Sequence, residues 1–311
     1  MKVLITGASS FSGAFFIREL ALAGHEVIAT YSQPVDSYSG IRGRRASMAA
    51  EHCRPVVGVK FGDEKFLDLV KNESFDVYGH HGAWTKDYRQ MEGYEFHEAW
   101  LNNTRNVQQV LSFLANNGCQ RIVISASVFE GECGLSSSPD IPFSPHGLVK
   151  QFTSKTFDFW GRHYGQHVSR FVIPNPFGEL DNPKLIDYLC REWYAGRVPQ
   201  IRTPLYIRDN IHVELMAFAY RHWLETMPME KGGSVFAPAG YVSSMGDFVS
   251  LVANEMRPRL GLNCEFSLGT QTDFSQPMIL VNDNPVDSLF ENWNPSTAWD
   301  SLAAYQQEKN R

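Results

Sequence analysis

The sequence predicts an α/β protein: a doubly wound parallel sheet with a smaller C-terminal lobe. Three observations carry this. Short apolar runs rich in β-branched residues alternate with longer amphipathic stretches through the first half of the chain. The short runs do not alternate polar with apolar residues, the pattern of strands covered on both faces. After Ile173 prolines recur (Pro174, Pro176, Pro183, Pro199, Pro204) and strand periodicity is lost.

The elements follow in order. Lys2–Thr6 reads as a first strand and Phe15–Ala23 as the helix after it. Strands are expected at Glu26–Thr30, Pro55–Val59 and Phe75–Tyr78, with a helix at Glu64–Lys71. Arg42, Arg44 and Arg45 fall in an expected loop. One long helix spans Tyr94–Asn116, followed by a strand at Arg121–Ser125. Glu132–Pro145, rich in Ser, Pro and Gly, is a loop by composition. A helix at Gly147–His163 precedes strands at Val168–Ile173 and Ser234–Ala237. Residues 1–173 thus form one domain whose last strand returns near 234–237, and residues 174–311 form mainly the smaller lobe.

Size and charge narrow the functions. The 311 residues are 43% hydrophobic and 20% charged, ordinary for a protein with a sizeable core. A net charge of −6 argues against nucleic acid, whose phosphates need a concentrated basic surface. No apolar run approaches the roughly 20 residues of a membrane span. Five cysteines without CxxC spacing read as free thiols in a reducing compartment. A strand beginning at residue 2 leaves no signal peptide, so a soluble cytoplasmic protein is expected.

The first strand runs into Thr6-Gly7-Ala8-Ser9-Ser10-Phe11-Ser12-Gly13, which opens the first helix. Gly7 permits the tight turn, and Gly13 lets the helix approach the sheet. A pyrophosphate can then lie on free N–H groups at the helix N-terminus. This stretch resembles the TGxxGxxG turn of the extended short-chain dehydrogenase/reductases, the NAD-dependent epimerase/dehydratase branch that modifies nucleotide sugars. Ser10 stands at the family's middle glycine. The resemblance implies a Rossmann-type fold that binds a dinucleotide through Gly7, Ser9, Ser10, Phe11 and Gly13, with Gly82, Ala83 and Pro174 also beside it. Asp63 matches the family's adenine-contacting aspartate. Where an NAD enzyme usually places an acidic residue on the ribose, this chain has Tyr31. With no carboxylate there and with Arg42, Arg44 and Arg45 nearby in sequence, NADP is favoured and NAD is the alternative.

The family's chemistry uses Ser, Tyr and Lys. Ser125-Ala126-Ser127-Val128-Phe129 is similar to its SSxxVYG stretch, making Ser125 the catalytic serine. Ser144-Pro145-His146-Gly147-Leu148-Val149-Lys150 resembles its SPYxxxK, with His146 in place of the tyrosine and Lys150 retained, which the resemblance implies also holds the cofactor's ribose. His146 and Lys150 stand one helical turn apart, so either His146 replaces the phenol, donating from its protonated form, or the position is disabled. Asp76–Ala83 resembles the family's DVVIHLAA, in which the histidine, here His80, is structural. His80, His81 and His97 lack further ligands at metal spacing, so no metal is expected.

Trp84, Ser127, Asn175 and Arg208 are the expected substrate contacts. Asn175 lies in a stretch similar to the family's FNxxG. Arg208-Asp209-Asn210-Ile211-His212-Val213 is similar to RDFxHV, whose arginine pairs with a sugar-nucleotide diphosphate. Asn292–Pro295 matches the family's GWxP ending. The resemblance implies reduction of a nucleotide-linked keto-sugar, a 4-keto-6-deoxyhexose, because a donor that replaces the phenol need act in one direction only. The alternatives are a nucleotide-sugar 4-epimerase or dehydratase with bound NAD, and a redox-inactive dinucleotide-binding protein. A homodimer is expected through the helices Tyr94–Asn116 and Gly147–His163, where Phe152, Phe157, Phe159 and Trp160 are apolar.

Overall fold

A computed structural model describes residues 1–88, 90–138, 142–229, 233–287, 289–290 and 293–310. Residues 139–141 of the expected loop and Asn292 of the C-terminal stretch lie outside the described residues. The first part of the chain runs β1 (Lys2–Ile5), α1 (Phe11–Leu22), β2 (Glu26–Tyr31), α2 (Gly40–Ala50), β3 (Arg54–Val57) and α3 (Glu64–Asn72). It continues with β4 (Val77–His80), α4 (Phe96–Thr104), α5 (Val107–Asn116), β5 (Arg121–Ser127), β6 (Leu135–Ser136), α6 (Pro145–His163) and β7 (His167–Ile173). Then come β8 (Asn175–Phe177), α7 (Leu185–Tyr194), β9 (Gln200–Ile201), β10 (Ile207–His212), α8 (Val213–Thr226) and β11 (Ser234–Phe236). The last elements are β12 (Pro238–Ala239), β13 (Tyr241–Ser244), α9 (Met245–Leu260), β14 (Ser267–Leu268), β15 (Ile279–Val281), β16 (Asn284–Pro285) and α10 (Pro295–Asn310).

Seven parallel strands form the main sheet in the order β11-β7-β5-β4-β1-β2-β3. The winding reverses between β1 and β4, which opens a crevice at the carboxyl ends of those strands. Successive residues of β1 point to opposite faces. Val3 and Ile5 join a core with Phe15, Phe16 and Tyr220, under α1 and α8. Leu4 joins Phe66, Leu114 and Phe157 on the other face. This is the Rossmann-type doubly wound sheet.

The second part carries a mixed five-stranded sheet, β13-β10-β15-β6 with β8 on β10. Its core gathers Leu189, Phe248, Val252 and Trp299 from α7, α9 and α10. Between these elements the chain returns to the main sheet: α8 packs on α1 and β11 pairs with β7.

Several boundaries differ from the sequence reading, each for a physical reason. Helix α1 starts at Phe11 because Ser10 caps it, its Oγ accepting from Gly13 N (3.1 Å). The expected helix over 94–116 is two helices. Asn106 adopts a left-handed conformation (φ 50°) and donates from Nδ2 to Gly62 O at 2.8 Å. Strand β4 lies later than expected, so that Gly79 partners Ile5 and both strands end level at the crevice. The three arginines sit on α2, whose Ala46 and Ala49 pack under the sheet, not in a loop. All five cysteines are free. No helix among the described residues is long and apolar enough to cross a membrane.

Candidate active site

The crevice is built around the turn from β1 to α1. Gly7 has φ +81°, and a Cβ there would meet Gly82 N at 2.8 Å. A Cβ on Gly13 would meet Gly7 O at 2.4 Å and the His81 ring at 2.9 Å. Thr6 Oγ1 accepts from both His81 N (3.0 Å) and Gly82 N (2.8 Å), joining the two strand ends. Ala83 and Pro174 follow at the ends of β4 and β7, and Phe11 lies beneath the Arg45 guanidinium (5.4 Å).

Arg42 is the one of the three arginines that reaches this turn, its Nε donating to Ser9 Oγ at 3.0 Å while its guanidinium stacks on Tyr38. Arg45 is buried against Leu180 O and Asn182 Oδ1, and Arg44 pairs with Glu308. The expectation for Tyr31 needs correction. Its phenol is enclosed under α2, donating to Ala46 O, so it cannot contact a ribose. Asp63 caps α3, its two carboxylate oxygens accepting from Phe66 N and Lys60 N.

Ser144 is the N-cap of α6 and Pro145 its first residue, which explains the Ser-Pro frame around His146. His146 is buried, with Nδ1 at 3.4 Å from the Tyr94 hydroxyl and its ring edge-on to Tyr88. Burial and the Lys150 ammonium push its imidazole down to about 4. The ring is therefore neutral at neutral pH, and the donation from a protonated imidazole expected from the sequence does not hold there. Lys150, also buried, donates from Nζ to the Ser125 carbonyl. Burial lowers its pKa, and the Glu130 carboxylate works against that shift. Glu130 accepts from Ser127 N (2.8 Å) and Ser154 Oγ (3.0 Å), fixing the exit of β5 to α6.

Sequence reasoning missed two neighbours of these groups. His81 lies with Nδ1 2.6 Å from Ser125 Oγ and Nε2 3.0 Å from both Ser10 and Ser12 Oγ. Tyr94 meets His146. The signal for His81 was present, since it stands at the leucine of the pattern that Asp76–Ala83 resembles. By contrast, His80 bonds Tyr78 and packs between Phe61 and Phe157 in the core.

A cleft of about 810 Å³ adjoins the crevice, lined from Tyr88, Phe129 and Ser144 at one end to Arg208 and Gln276 at the other. Asn175 lines it and holds Asp209 O through Nδ2 (3.1 Å). Arg208 stacks on Tyr206 and donates to the Pro277 carbonyl (3.0 Å) and to Gln276 Oε1 (3.0 Å). Asp209 points to the other face of β10, accepting from Gly240 N, so the two do not form an ion pair. Trp84 and Ser127 do not line the cleft. Trp84 packs against Tyr94, Ala99 and Val149, and Ser127 Oγ accepts from Phe129 N.

This crevice and sheet define a nucleotide-binding α/β protein, and comparison with known proteins agrees. Residues 3–236 match the NAD dependent epimerase/dehydratase family, and the chain belongs to that family. It is similar to dTDP-6-deoxy-L-talose 4-dehydrogenase (NAD(+)) of Aggregatibacter actinomycetemcomitans, 26% identical over 170 residues, which are 51% of this chain and 55% of the relative. The match thus spans little more than half the relative's length. Among solved structures it is similar to UDP-glucuronic acid 4-epimerase of Bacillus cereus (TM-score 0.76, 16% identity, 99% and 100% of the two chains covered). It is also similar to UDP-glucose 4-epimerase of Thermotoga maritima (TM-score 0.74, 16% identity, both chains fully covered). At these identities the structural matches establish the fold.

The crevice fits a dinucleotide. Gly7 and Gly13, where a Cβ would collide, keep the turn flush with the sheet, and the N–H groups that open α1, apart from the Gly13 N–H taken by Ser10, have no carbonyl partner within the helix and suit a diphosphate.

Proposed function

We propose that the protein reduces a nucleotide-linked keto-sugar, a 4-keto-6-deoxyhexose, with NADPH. The observation that carries this is a cleft that runs from Tyr88, which His146 meets edge-on, and Ser144, the cap of the helix bearing His146 and Lys150, to Arg208. Arg208 is buried, bonded to neutral acceptors and near no carboxylate among its partners, which leaves its charge for a diphosphate. Residues 1–173, with the strand returning near 234–237, hold the dinucleotide, and residues 174–311 mainly hold the sugar nucleotide. The 4-dehydrogenase relative acts at the same carbon, in the opposite direction as named.

A dihydronicotinamide held at the crevice would supply hydride to the carbonyl carbon. The protein's own groups handle the oxygen. With the Tyr94 hydroxyl donating to Nδ1, His146 carries its hydrogen on Nε2 and offers it to the substrate oxygen. Ser125 donates to the same oxygen, and Lys150 fixes Ser125 through its carbonyl. A neutral ring held near 4 is a weak base, which disfavours epimerisation, where one group must both remove and return a proton. Arg42 at Ser9, with no acidic residue ending β2, favours the 2′-phosphate of NADP. We further assign self-association to the α4–α6 face, where Leu101, Phe152 and Phe159 are exposed, although Phe157 belongs to the core.

The test is consumption of NADPH and NADH against CDP-, dTDP-, GDP- and UDP-linked 4-keto-6-deoxy sugars. NADPH oxidation with one of them supports the proposal. Silence with all of them, cofactor still bound, overturns it in favour of an epimerase or a redox-inactive binder.

A further inference from the structure

Among the residues that depart from the patterns the first turn and the fourth strand resemble are Ser10, at a glycine, and His81, at a leucine. In the structure the two departures touch. His81 Nε2 is 3.0 Å from Ser10 Oγ and from Ser12 Oγ, while its Nδ1 is 2.6 Å from Ser125 Oγ. The ring lies against Gly13 in the first turn of α1 and edge-on to Phe16. Ser10 and Ser12 are half-buried at the crevice, whereas His81 and Ser125 are buried. An unbroken path of hydrogen-bonding groups therefore joins the phosphate-binding turn to the serine beside Lys150.

We propose that His81 is a positioning residue that makes Ser125 a proton donor, through a relay Ser10/Ser12–His81–Ser125 that the phenol of the usual site would make unnecessary. The relay rests on the reading above, in which Ser125 faces the substrate oxygen. A neutral imidazole has one donor and one acceptor nitrogen, so it imposes a direction. Burial and the Lys150 ammonium hold this imidazole at about 3, far below the neutral range. Ser10 Oγ already accepts from Gly13 N and turns its own hydrogen to Nε2. Nδ1 then carries the ring hydrogen and donates to Ser125 Oγ, which frees the Ser125 hydrogen for the substrate. In reduction by a dihydronicotinamide, a C–H bond of the cofactor would break and its hydride would form a C–H bond at the carbonyl carbon, leaving the oxidised nicotinamide while the C=O π pair moves to oxygen. That oxygen takes the Ser125 proton, and Ser125 takes the Nδ1 proton. Nε2 takes the Ser10 or Ser12 proton, and the serine takes a proton from bulk water, leaving hydroxide to be neutralised by the solvent.

Two measurements test this. The first needs no substrate: ¹⁵N spectra of histidine-labelled protein should show His81 neutral, with hydrogen on Nδ1 and none on Nε2. The Nδ1 signal should move in Ser125→Ala, and the Nε2 signal in the Ser10→Ala, Ser12→Ala double variant. Hydrogen on Nε2 instead, or signals indifferent to these serines, overturns the relay. The second uses NADPH and a dTDP-linked 4-keto-6-deoxyhexose. His81→Leu should lower kcat roughly 100-fold with KM for the sugar nucleotide little changed, and His81→Asn, which keeps an amide donor near Nδ1, should recover part of it. If Ser125→Ala is harmless, the reading of Ser125 has failed. If Ser125→Ala is damaging and a folded His81→Leu is not, the relay alone has failed.

Discussion

At the residue scale, the account turns on an imidazole where a phenol is usual. A histidine exposed at a helix start would titrate near 6.5 and gain or lose its charge in the working range. His146 is instead buried one turn before an ammonium, and both effects disfavour its cation, so it stays neutral until the pH falls through about 4. Above that point the ring is a neutral Nε2–H donor whose Nδ1 accepts from Tyr94, and protonation below it removes that acceptor while the Nε2–H remains. His146→Phe should therefore lower kcat about 100-fold by a factor constant from pH 5.5 to 7.5. A ratio that instead changes with an apparent pKa near 6.5 contradicts the neutral ring. Arg42 carries the second prediction at this scale. Arg42→Ala should weaken NADPH about tenfold, the worth of one charge-assisted contact, and leave NADH unchanged in a binding titration. Equal losses for both cofactors would remove Arg42 from the 2′-phosphate. The Ser144–Lys150 frame was legible in sequence because cap, proline and helical spacing are local. The roles of Tyr31 and His81 were not, because they depend on which way a side chain turns at a strand end. Tyr31 turns inward under α2 and His81 turns to Ser10, and neither choice is written in its own segment.

At the element scale, the order of strands and helices was readable because buried parallel strands leave short unbroken apolar runs. Boundaries were not, where a single hydrogen bond decides them. Ser10 extends α1 by capping it, and Asn106 divides the long helix by donating to Gly62 O. Helix α2 escaped notice because its glycines and arginines hide a modest apolar face. The close approach of α1 to the ends of β1 and β4 carries the prediction here. In Gly13→Ala the new Cβ meets the Gly7 carbonyl, the Ser10 hydroxyl and the His81 ring, and the first two are fixed by hydrogen bonds. The variant should lose about 1–3 kcal/mol of stability in urea unfolding and bind dinucleotide more weakly. Unchanged stability and affinity would mean that α1 does not press on the crevice as described.

At the scale of the whole molecule, two lobes of different construction meet at one cleft. The parallel sheet supplies the dinucleotide crevice, and the mixed sheet supplies Asn175 and Arg208 from neighbouring strands, β8 and β10. The α4–α6 face stands apart from that cleft. Phe159→Glu should convert a dimer to a monomer in light scattering without altering the cofactor affinity. A wild-type protein already monomeric at micromolar concentration would refute the assignment.

The central claim, hydride delivery to a sugar carbon at this crevice, is tested most directly by tracing the hydrogen. The protein is incubated with NADPH deuterated at the transferred position of the nicotinamide and a dTDP-linked 4-keto-6-deoxyhexose, and the product is read by NMR. The account predicts deuterium on C4 of the sugar in an amount matching the NADPH consumed. A sugar product without deuterium, or NADPH left intact with its label, would contradict it.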